Sequence, residues 1–403
     1  MSGDFLYLTG DDAMRRVLQG AKTFFRTGDM VLLILCLVAT AFGCLIISSA
    51  TYTMGFLRYV IIQLVAAGMG VVLYAIISSI DVEFFSEHRY YMVLFNMFLL
   101  LLLIPFGTDN GSGNKSWLNI PLMPVDIQPA EICKITYILV MASVMASHQN
   151  QISSIPSVFH MVFHLGLLAG VNMVLSGDLG VSLIFVFIFI GMAFAGGVSI
   201  VWFLVAGGSI AVASPIIWQF LDPYQQKRIL VLFDPSLDPL GVNERYHTTL
   251  SLRSLTGGGF TGQGLYQGTR TQTEGALFAQ HTDFIFSAIG EELGFFGCLF
   301  VIILLSLIVA RCIWVGTHSQ DYVRRLVCFG AASALIFQIL SNIGMCIGIT
   351  PVIGLTLPFI SYGGSSILSL YAMMGLVSGV HARPNPPSHE RYIRPPYNAL
   401  KIR

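Results

Sequence analysis

Long apolar runs separated by short polar segments make up most of the chain. A helix needs about 20 mostly apolar residues to cross the hydrocarbon core of a bilayer. By this criterion the pattern predicts ten spans, at residues 30–49, 59–78, 90–106, 130–147, 158–175, 180–196, 199–218, 284–310, 326–349 and 360–380. The pattern therefore predicts an all-α polytopic membrane protein, with one ten-helix membrane domain over residues 30–381 and no soluble domain.

Two connections between the predicted spans are long, at residues 107–129 and 219–283. Loops longer than about 12–15 residues are often functional. The larger one, between the seventh and eighth spans, contains the stretch GGGFTGQG at 257–264, which we interpret as a flexible turn because no βαβ pattern surrounds it. Residues 350–366 combine prolines, glycines and hydroxyl side chains, and they predict an unwound segment that is buried or lines a cavity.

Basic residues indicate how the chain is oriented in the membrane. If the N-terminus is cytoplasmic, the outer loops apart from 219–283 contain only Arg58 and Lys115. The cytoplasmic segments then hold Arg15, Arg16, Lys22, Arg26, Arg89, Arg311, Arg324, Arg325 and five more from Arg383 onward. Because short cytoplasmic loops are enriched in Lys and Arg, residues 1–29 and the proline-rich tail 382–403 are predicted to be cytoplasmic, the tail near anionic membrane lipids.

Composition supports the membrane interpretation and excludes other classes. Of the 403 residues, 55% are hydrophobic and 10% are charged, against roughly 25% charged in soluble domains. The net charge is zero, so the chain lacks the basic character that a nucleic-acid partner requires. The seven cysteines lie in or beside apolar runs without a CxxC pair, which favours neither a disulfide framework nor a metal site.

Three carboxylates stand in the segment FAQHTDFIFSAIGEELGFFG, residues 278–297: Asp283, Glu291 and Glu292. An ionised carboxylate near the bilayer centre costs at least a few kcal/mol, so it usually has a partner or a function. Asp283 is predicted at the outer mouth of a membrane helix, with the glutamates about 12 Å deeper. Partial desolvation there suits a general base; the alternative is that Thr282 or Asp283 caps the helix.

Glu291 and Glu292 are neighbours on the predicted helix, so their side chains point about 100° apart and do not form an acid–base pair. One interpretation is that they hydrogen-bond to other helices and hold the bundle together. The other is a proton or cation path, which would make the protein a transporter.

Candidate anion-binding groups lie near the other outer segments. Glu131 and Lys134 share a helix face, and they form either an intramembrane salt bridge or a site where Lys134 holds a group such as a phosphate. Lys115, in a glycine-rich loop, has the same two interpretations. Asp178, in the sequence SGDLG, either caps the sixth predicted helix or contributes to the same outer cavity.

Four segments resemble the signature segments of the SEDS family, which includes RodA, FtsW and SpoVE. They are HTDFIFSAIGEELGFFG, NIGMCIGITPVIGLTLPFISYGGSS, SGDLGVSL and DIQPAEICKI, and the similarity extends from residue 28 to 381. The resemblance implies a peptidoglycan glycosyltransferase of the bacterial cytoplasmic membrane that polymerises lipid II, with a class B penicillin-binding protein as partner. The segment GQGLYQGTRTQ at 262–272 is closer to the RodA branch, which implies a role in cell elongation and shape.

The resemblance also assigns residues. The family's catalytic aspartate falls on Asp283, and the lysine of its QPxExxK motif falls on Lys134, with Glu131 and Gln128 beside it. The chain departs from the family pattern at residues 278–280, where Phe-Ala-Gln replaces the usual Pro-Glu, and at SGDLG, which replaces QPDLG. These departures affect how the outer loop holds substrate and leave Asp283 and Lys134 in place.

In the implied reaction Asp283 takes the proton of an acceptor sugar hydroxyl, and cationic groups meet the departing diphosphate. Lys134, Lys115 and Arg270 are the candidates for the second task. A divalent cation, Mg²⁺ or Mn²⁺, could share it, although no ligand cluster in the sequence requires one. Two other functions stay open: a lipid II flippase that uses Glu291, Glu292 and Glu131, and a non-catalytic scaffold that activates a penicillin-binding protein.

Overall fold

Helices account for nearly all of the regular structure. The computed structural model describes residues 24–108, 114–119, 127–220, 223–238, 241 and 245–383. Its helices are α1 (Met30–Ala50), α2 (Phe56–Ser79), α3 (Val82–Glu87), α4 (Arg89–Leu101), α5 (Leu103–Phe106), α6 (Pro129–Ser147), α7 (Ile155–Ser176), α8 (Leu179–Ala195), α9 (Ile200–Phe220), α10 (Pro223–Phe233), α11 (Tyr246–Gly258), α12 (Ile285–His318), α13 (Tyr322–Cys346) and α14 (Gly364–Ala382). The predicted cytoplasmic segments 1–29 and 382–403 fall largely outside the described residues.

One short antiparallel ladder completes the described structure: β1 (Gly107–Thr108) pairs with β2 (Trp117–Leu118) in the first long loop. Among the described residues, eight helical stretches are long and apolar enough to cross a membrane, namely α1, α2, α4 with α5, α6, α7, α12, α13 and α14. The sixth and seventh predicted spans correspond to shorter apolar helices, Leu179–Ala195 and Ile200–Ile216. The all-α membrane class is confirmed, and the count of ten spans stays a prediction.

Aspartates define where four of the helices begin. Asp29, Asp81, Asp178 and Asp321 each precede a helix, and each carboxylate accepts a hydrogen bond from a backbone amide of the first turn, at 3.0, 3.2, 3.0 and 2.8 Å respectively. Such caps contribute about 1 kcal/mol each. The polar residues between the apolar runs therefore set the helix starts.

Small residues let the central helix α14 approach α2 closely. A Cβ on Gly70 would lie 2.7 Å from the ring of Tyr371, and one on Gly375 would lie 2.9 Å from the carbonyl oxygen of Tyr74. Close backbone approach of this kind is how helices associate in lipid, because the hydrophobic effect does not drive them together there. α14 therefore lies in the core, and most of its side chains are buried.

Ion pairs connect the helices at the end that is predicted to be cytoplasmic. Arg311 of α12 donates two hydrogen bonds to the carboxylate of Asp29, one from Nε at 2.9 Å and one from a terminal nitrogen at 3.0 Å. Arg324 of α13 is 1% exposed and pairs with Asp81 at 3.1 Å and Glu83 at 3.4 Å. Each buried charge thus has an opposite charge, as burial requires.

Helix α12 is broken at Gly294, whose backbone angles are φ 66° and ψ −159°. A continuous helix would pair the carbonyl oxygens of Glu291 and Glu292 with the amides of Phe295 and Phe296. Instead, all four groups pair with loop residues 259–264. The bonds are Gln263 N to Glu291 O (3.0 Å), Gly264 N to Glu292 O (2.9 Å), Phe295 N to Gly259 O (2.9 Å) and Phe296 N to Phe260 O (3.3 Å).

This pairing differs from the sequence-based interpretation in two ways. Residues 257–264 were predicted to be a flexible turn. Gly257 and Gly258 instead end α11, and residues 259–264 form a turn whose backbone is hydrogen-bonded to α12. The eighth predicted span, 284–310, gave no sign of a break, because Gly294 stands inside an apolar run. The predicted loop 219–283 also contains two helices, α10 and α11.

We expect Gly294→Ala to destabilise the protein by about 1–3 kcal/mol or more. The angles at Gly294 belong to a region that essentially only glycine occupies, and an added Cβ would lie 2.4 Å from the amide nitrogen of Gly262. Thermal unfolding of the purified protein in detergent measures the change. Gly68→Ala in α2 is the matched control, since nothing lies within 4 Å of its Cβ position. Equal melting temperatures for the two variants would contradict this account of the break.

Candidate active site at the N-terminal end of helix α12

Asp283 lies immediately before Phe284, the N-cap residue of α12, and its side chain does not cap the helix. The residue is partly exposed, in contrast to the buried residues that follow it. Among the residues that the structure describes, none donates a hydrogen bond to its carboxylate. The capping alternative is therefore not what the geometry shows, and the carboxylate is available to a ligand.

The backbone that carries this carboxylate is held on one side. The carbonyl oxygens of three consecutive residues, 281–283, accept hydrogen bonds from α13 and from the segment 350–363. The donors are Tyr362 N to His281 O (2.8 Å), Ser361 Oγ to Thr282 O (2.6 Å) and Asn342 Nδ2 to Asp283 O (2.8 Å). Three successive hydrogen bonds fix the direction in which the Asp283 side chain leaves the chain.

Asn342 joins these two supports. Its Nδ2 also donates to the carbonyl oxygen of Leu355 at 2.7 Å, and the residue is fully buried in α13. Asn342 stands in the motif NIGMCIGITPVIGLTLPFISYGGSS, and no role was predicted for it. A buried amide inside an apolar helix was the available signal, because such residues hydrogen-bond across helices.

The segment predicted to be unwound forms a wall beside Asp283. Residues 351–357 have no regular secondary structure, and Leu355, Leu357 and Phe359 are buried. Gly354 has φ +75°, and a Cβ there would lie 3.5 Å from Oδ2 of Asp283. Irregular backbone at membrane depth is tolerated where protein buries it or where it lines a cavity, and this segment meets that condition next to the candidate base.

Burial raises the pKa of Asp283 to about 6, and the negative charge of Asp178 adds to the increase. Both effects disfavour the ionised form. The carboxyl group therefore ionises near neutral pH, which suits a group that must accept a proton during a reaction.

Asp178 connects α8 with the first long loop. Its Oδ1 accepts a hydrogen bond from Val181 N at 3.0 Å, and its Oδ2 accepts one from Ser116 Oγ at 3.3 Å. Burial raises its pKa as well. Two residues later, a Cβ on Gly180 would lie 2.5 Å from Ile353. Asp178 thus acts as a cap, and its negative charge also acts on Asp283. A contribution of Asp178 to an outer cavity stays a prediction.

Lys134 lies inside the protein. It is 1% exposed, and its Nζ is 2.9 Å from Oε1 of Glu131. The other oxygen of Glu131 accepts a hydrogen bond from Ser369 of α14. Gln128, at the N-cap of α6, donates from its backbone to Ser365 Oγ at 3.2 Å. The salt-bridge arrangement is present, and it connects α6 with α14.

The other two candidate cations differ in their surroundings. Arg270 is 3.6 Å from Glu291 and donates to the carbonyl oxygen of Arg253 at 3.1 Å. Lys115 is exposed in the first long loop. Of the three candidate cations, Lys134 and Arg270 therefore lie against glutamate carboxylates.

Glu291 and Glu292 attach the outer loop to the bundle. Both are fully buried. Glu291 accepts hydrogen bonds from the amides of Arg270 (3.0 Å) and Thr271 (2.8 Å). Glu292 accepts one from Ser49 Oγ at 2.7 Å, and Gln272 donates to the same oxygen at 2.9 Å. The interpretation that they hold elements together fits this geometry, with the outer loop and the end of α1 as their partners.

Carboxylate oxygens are the ligands that Mg²⁺ and Mn²⁺ prefer, often one or two from protein with the rest from phosphate. Asp283 and Asp178 provide carboxylates of this kind near each other. Within the described ranges, no group of three or more His, Cys, Asp or Glu side chains is placed to hold a metal ion.

Comparison with known proteins is consistent across the whole membrane domain. The family model of FtsW, RodA and SpoVE, described as a cell cycle protein, matches residues 29–385. Peptidoglycan glycosyltransferase MrdB of Escherichia coli (strain K12) is 32% identical over 359 residues, which cover 88% of this chain and 93% of that protein. The probable peptidoglycan glycosyltransferase FtsW of Thiomicrospira cyclica is 31% identical over 360 residues, or 87% and 90% of the two chains.

Solved structures show the same architecture. A chain from a peptidoglycan synthase complex, studied for the coordination of polymerization and crosslinking, superposes with a TM-score of 0.77 at 28% identity and covers 89% of this chain and 99% of its own length. A mutant of the rod shape determining protein RodA of Thermus thermophilus gives a TM-score of 0.67 at 25% identity, with coverages of 89% and 99%. This chain therefore belongs to the FtsW/RodA/SpoVE family of multi-pass membrane proteins.

Proposed function

We propose that the protein is a peptidoglycan glycosyltransferase that polymerises lipid II at the outer face of the bacterial cytoplasmic membrane, for cell elongation and shape. The relatives named peptidoglycan glycosyltransferase support the activity. The observation that carries the assignment to a site is the carboxylate of Asp283, whose pKa is raised to about 6 and whose backbone is fixed by its neighbours.

Asp283 acts as the general base. The acceptor is a sugar hydroxyl, which is a weak nucleophile until its proton is removed in the transition state. A carboxylate that receives no hydrogen bond from the described residues keeps its lone pairs for that proton. General-base assistance of this kind contributes about 10²–10⁴-fold to the rate.

The reaction is a single displacement at the anomeric carbon of the donor. The acceptor oxygen forms a bond to that carbon, the bond from carbon to diphosphate oxygen breaks, and the electron pair leaves with the diphosphate. The proton of the acceptor moves to Asp283. An α-linked donor then yields a β-linked product. A divalent cation, Mg²⁺ or Mn²⁺, held by Asp178 and the substrate phosphates would neutralise the developing negative charge.

The orientation and the partner are part of the same proposal. With both termini in the cytoplasm, Asp283 faces the outer leaflet, where lipid II presents its sugars. A class B penicillin-binding protein would crosslink the strands that this protein makes. The similarity to a chain of a peptidoglycan synthase complex supports such a partner.

We expect Asp283→Asn to reduce glycan polymerisation by at least about 100-fold, because the amide cannot accept the proton. The assay uses purified protein with its partner, lipid II as substrate, and gel separation of the glycan polymer. Glu274→Gln is the matched control, since this exposed carboxylate lies in the same outer loop. Normal polymerisation by Asp283→Asn would remove Asp283 from the mechanism. Lipid II translocation in liposomes without any polymer would support the flippase alternative instead.

The rate should depend on pH through the ionisation of Asp283. Below about pH 6 the carboxyl group is protonated and cannot act as a base, so kcat/KM falls as the pH is lowered through this value. Asp178→Asn removes a negative charge that raises the pKa of Asp283, so the acidic limb should move to lower pH. Asparagine also caps helices well, so the start of α8 is retained. An unchanged limb in this variant would contradict the coupling between the two carboxylates.

Asn342→Ala should lower kcat by about 10- to 100-fold with little change in KM, because a displaced reacting group costs rate more than substrate affinity. The variant loses both hydrogen bonds that Asn342 donates, to Asp283 O and to Leu355 O. Asn96→Ala is the control: Asn96 is also a buried membrane asparagine, and its amide oxygen accepts a bond from Thr136. If both variants lose only thermal stability and keep kcat, Asn342 does not position Asp283.

A further inference from the structure

A cavity of about 210 Å³ is lined in part by Pro351 and Val352, which belong to the unwound segment beside Asp283. It is enclosed by α10, by the first turn of α11 and by the residues that join α13 to the unwound segment. Pockets for drug-sized ligands are roughly 300–1,000 Å³, so this one fits a small group rather than a whole sugar-peptide. The lining residues that matter here are Arg245, His247, Thr248, Leu232, Ile347 and Val352.

Arg245 gives the cavity a positive charge. Within the part of the chain that the structure describes, its guanidinium group makes no ion pair and no hydrogen bond. Its backbone amide donates to Oδ2 of Asp238 at 3.1 Å, which fixes the start of α11. Arginine presents a planar fork of donors that matches the oxygens of a phosphate. This residue therefore differs from Lys134 and Arg270, whose charges are already matched by glutamates.

Thr248 adds a polar group with no protein partner among the described residues. It is 8% exposed and lines the cavity, yet its hydroxyl forms no hydrogen bond there. A ligand oxygen in the cavity would give this hydroxyl a hydrogen-bond partner. The free amides in the first turn of α11 lie at the same end and favour a negative charge.

The cavity and Asp283 lie on the same extended segment. Val352 lines the cavity, and Gly354, two residues further on, lies against the Asp283 carboxylate. On another side, the ring of His247 is 6.3 Å from that of Phe284, the residue after Asp283. Only a few residues of this segment therefore separate the cavity lining from the Asp283 carboxylate.

We propose that this cavity binds the diphosphate group of the polyprenyl carrier, the product that leaves the donor; this inference rests on the proposed function. The positive charge and the hydroxyl suit diphosphate oxygens, and the apolar side chains of Leu232 and Ile347 suit the first prenyl units. Charge-assisted hydrogen bonds to phosphate from Arg245 would hold the departing group while the new glycosidic bond forms.

The test measures binding of undecaprenyl diphosphate to the full chain in nanodiscs of zwitterionic phosphatidylcholine, where no anionic headgroup competes. Because this compound is a product, no turnover occurs. Arg245→Gln should weaken binding by about 10- to 150-fold, and Thr248→Val by about 2- to 10-fold. Arg245→Lys should retain more affinity than Arg245→Gln, because it keeps the charge and loses the fork.

Arg253→Gln is the matched control, because this exposed arginine lies on the same helix and does not line the cavity. It should bind like the wild type. Inorganic diphosphate and undecaprenol provide the two further arms, and they separate recognition of the diphosphate from recognition of the chain. The site is supported if Arg245→Gln binds undecaprenyl diphosphate and inorganic diphosphate more weakly and its binding of undecaprenol is not weakened.

Equal affinity of Arg245→Gln and Arg253→Gln for undecaprenyl diphosphate would overturn the proposal. Competition by a stem pentapeptide without phosphate would also overturn it, since the cavity would then recognise a carboxylate. Polymerisation of lipid II by the wild type with its partner, in the same nanodiscs, is measured separately. Arg245-dependent binding without polymerisation would refute the proposed function and leave the diphosphate site in place.

Discussion

The outer site depends on one asymmetry: the backbone of residues 281–283 is hydrogen-bonded on every carbonyl, while the carboxylate of Asp283 receives no hydrogen bond from the described residues. Each carbonyl that is satisfied by a neighbour removes freedom from the main chain. The acid group itself keeps a poorly solvated position, which raises its pKa. A rigid support and an unsatisfied acid are together what a proton acceptor needs.

Much of the fold was predictable because local features determine it. Apolar runs marked the spans, and aspartates marked several helix starts, so α7 (Ile155–Ser176) differs from its predicted bounds by only a few residues. The break at Gly294 was not predictable, since it depends on pairing with residues about 30 positions earlier. α11 was also missed, because polar residues such as Thr248 and Ser251 obscure any apolar periodicity.

For the site, sequence identified the acids better than their partners. Asp283, Asp178 and Lys134 were all predicted, because ionisable groups in apolar surroundings are conspicuous. Whether Lys134 faces a cavity or a glutamate depends on rotamers and helix packing, and only the structure shows its 2.9 Å contact with Glu131. Arg245 was not predicted for the opposite reason: an arginine in a long polar loop is surrounded by other polar residues and gives no distinguishing signal.

The break in α12 has a consequence for how the chain is built into the membrane. An unpaired amide or carbonyl in hydrocarbon costs several kcal/mol, and the interruption at Gly294 would leave four such groups without residues 259–264. The span and the preceding loop are therefore stable in the membrane only together.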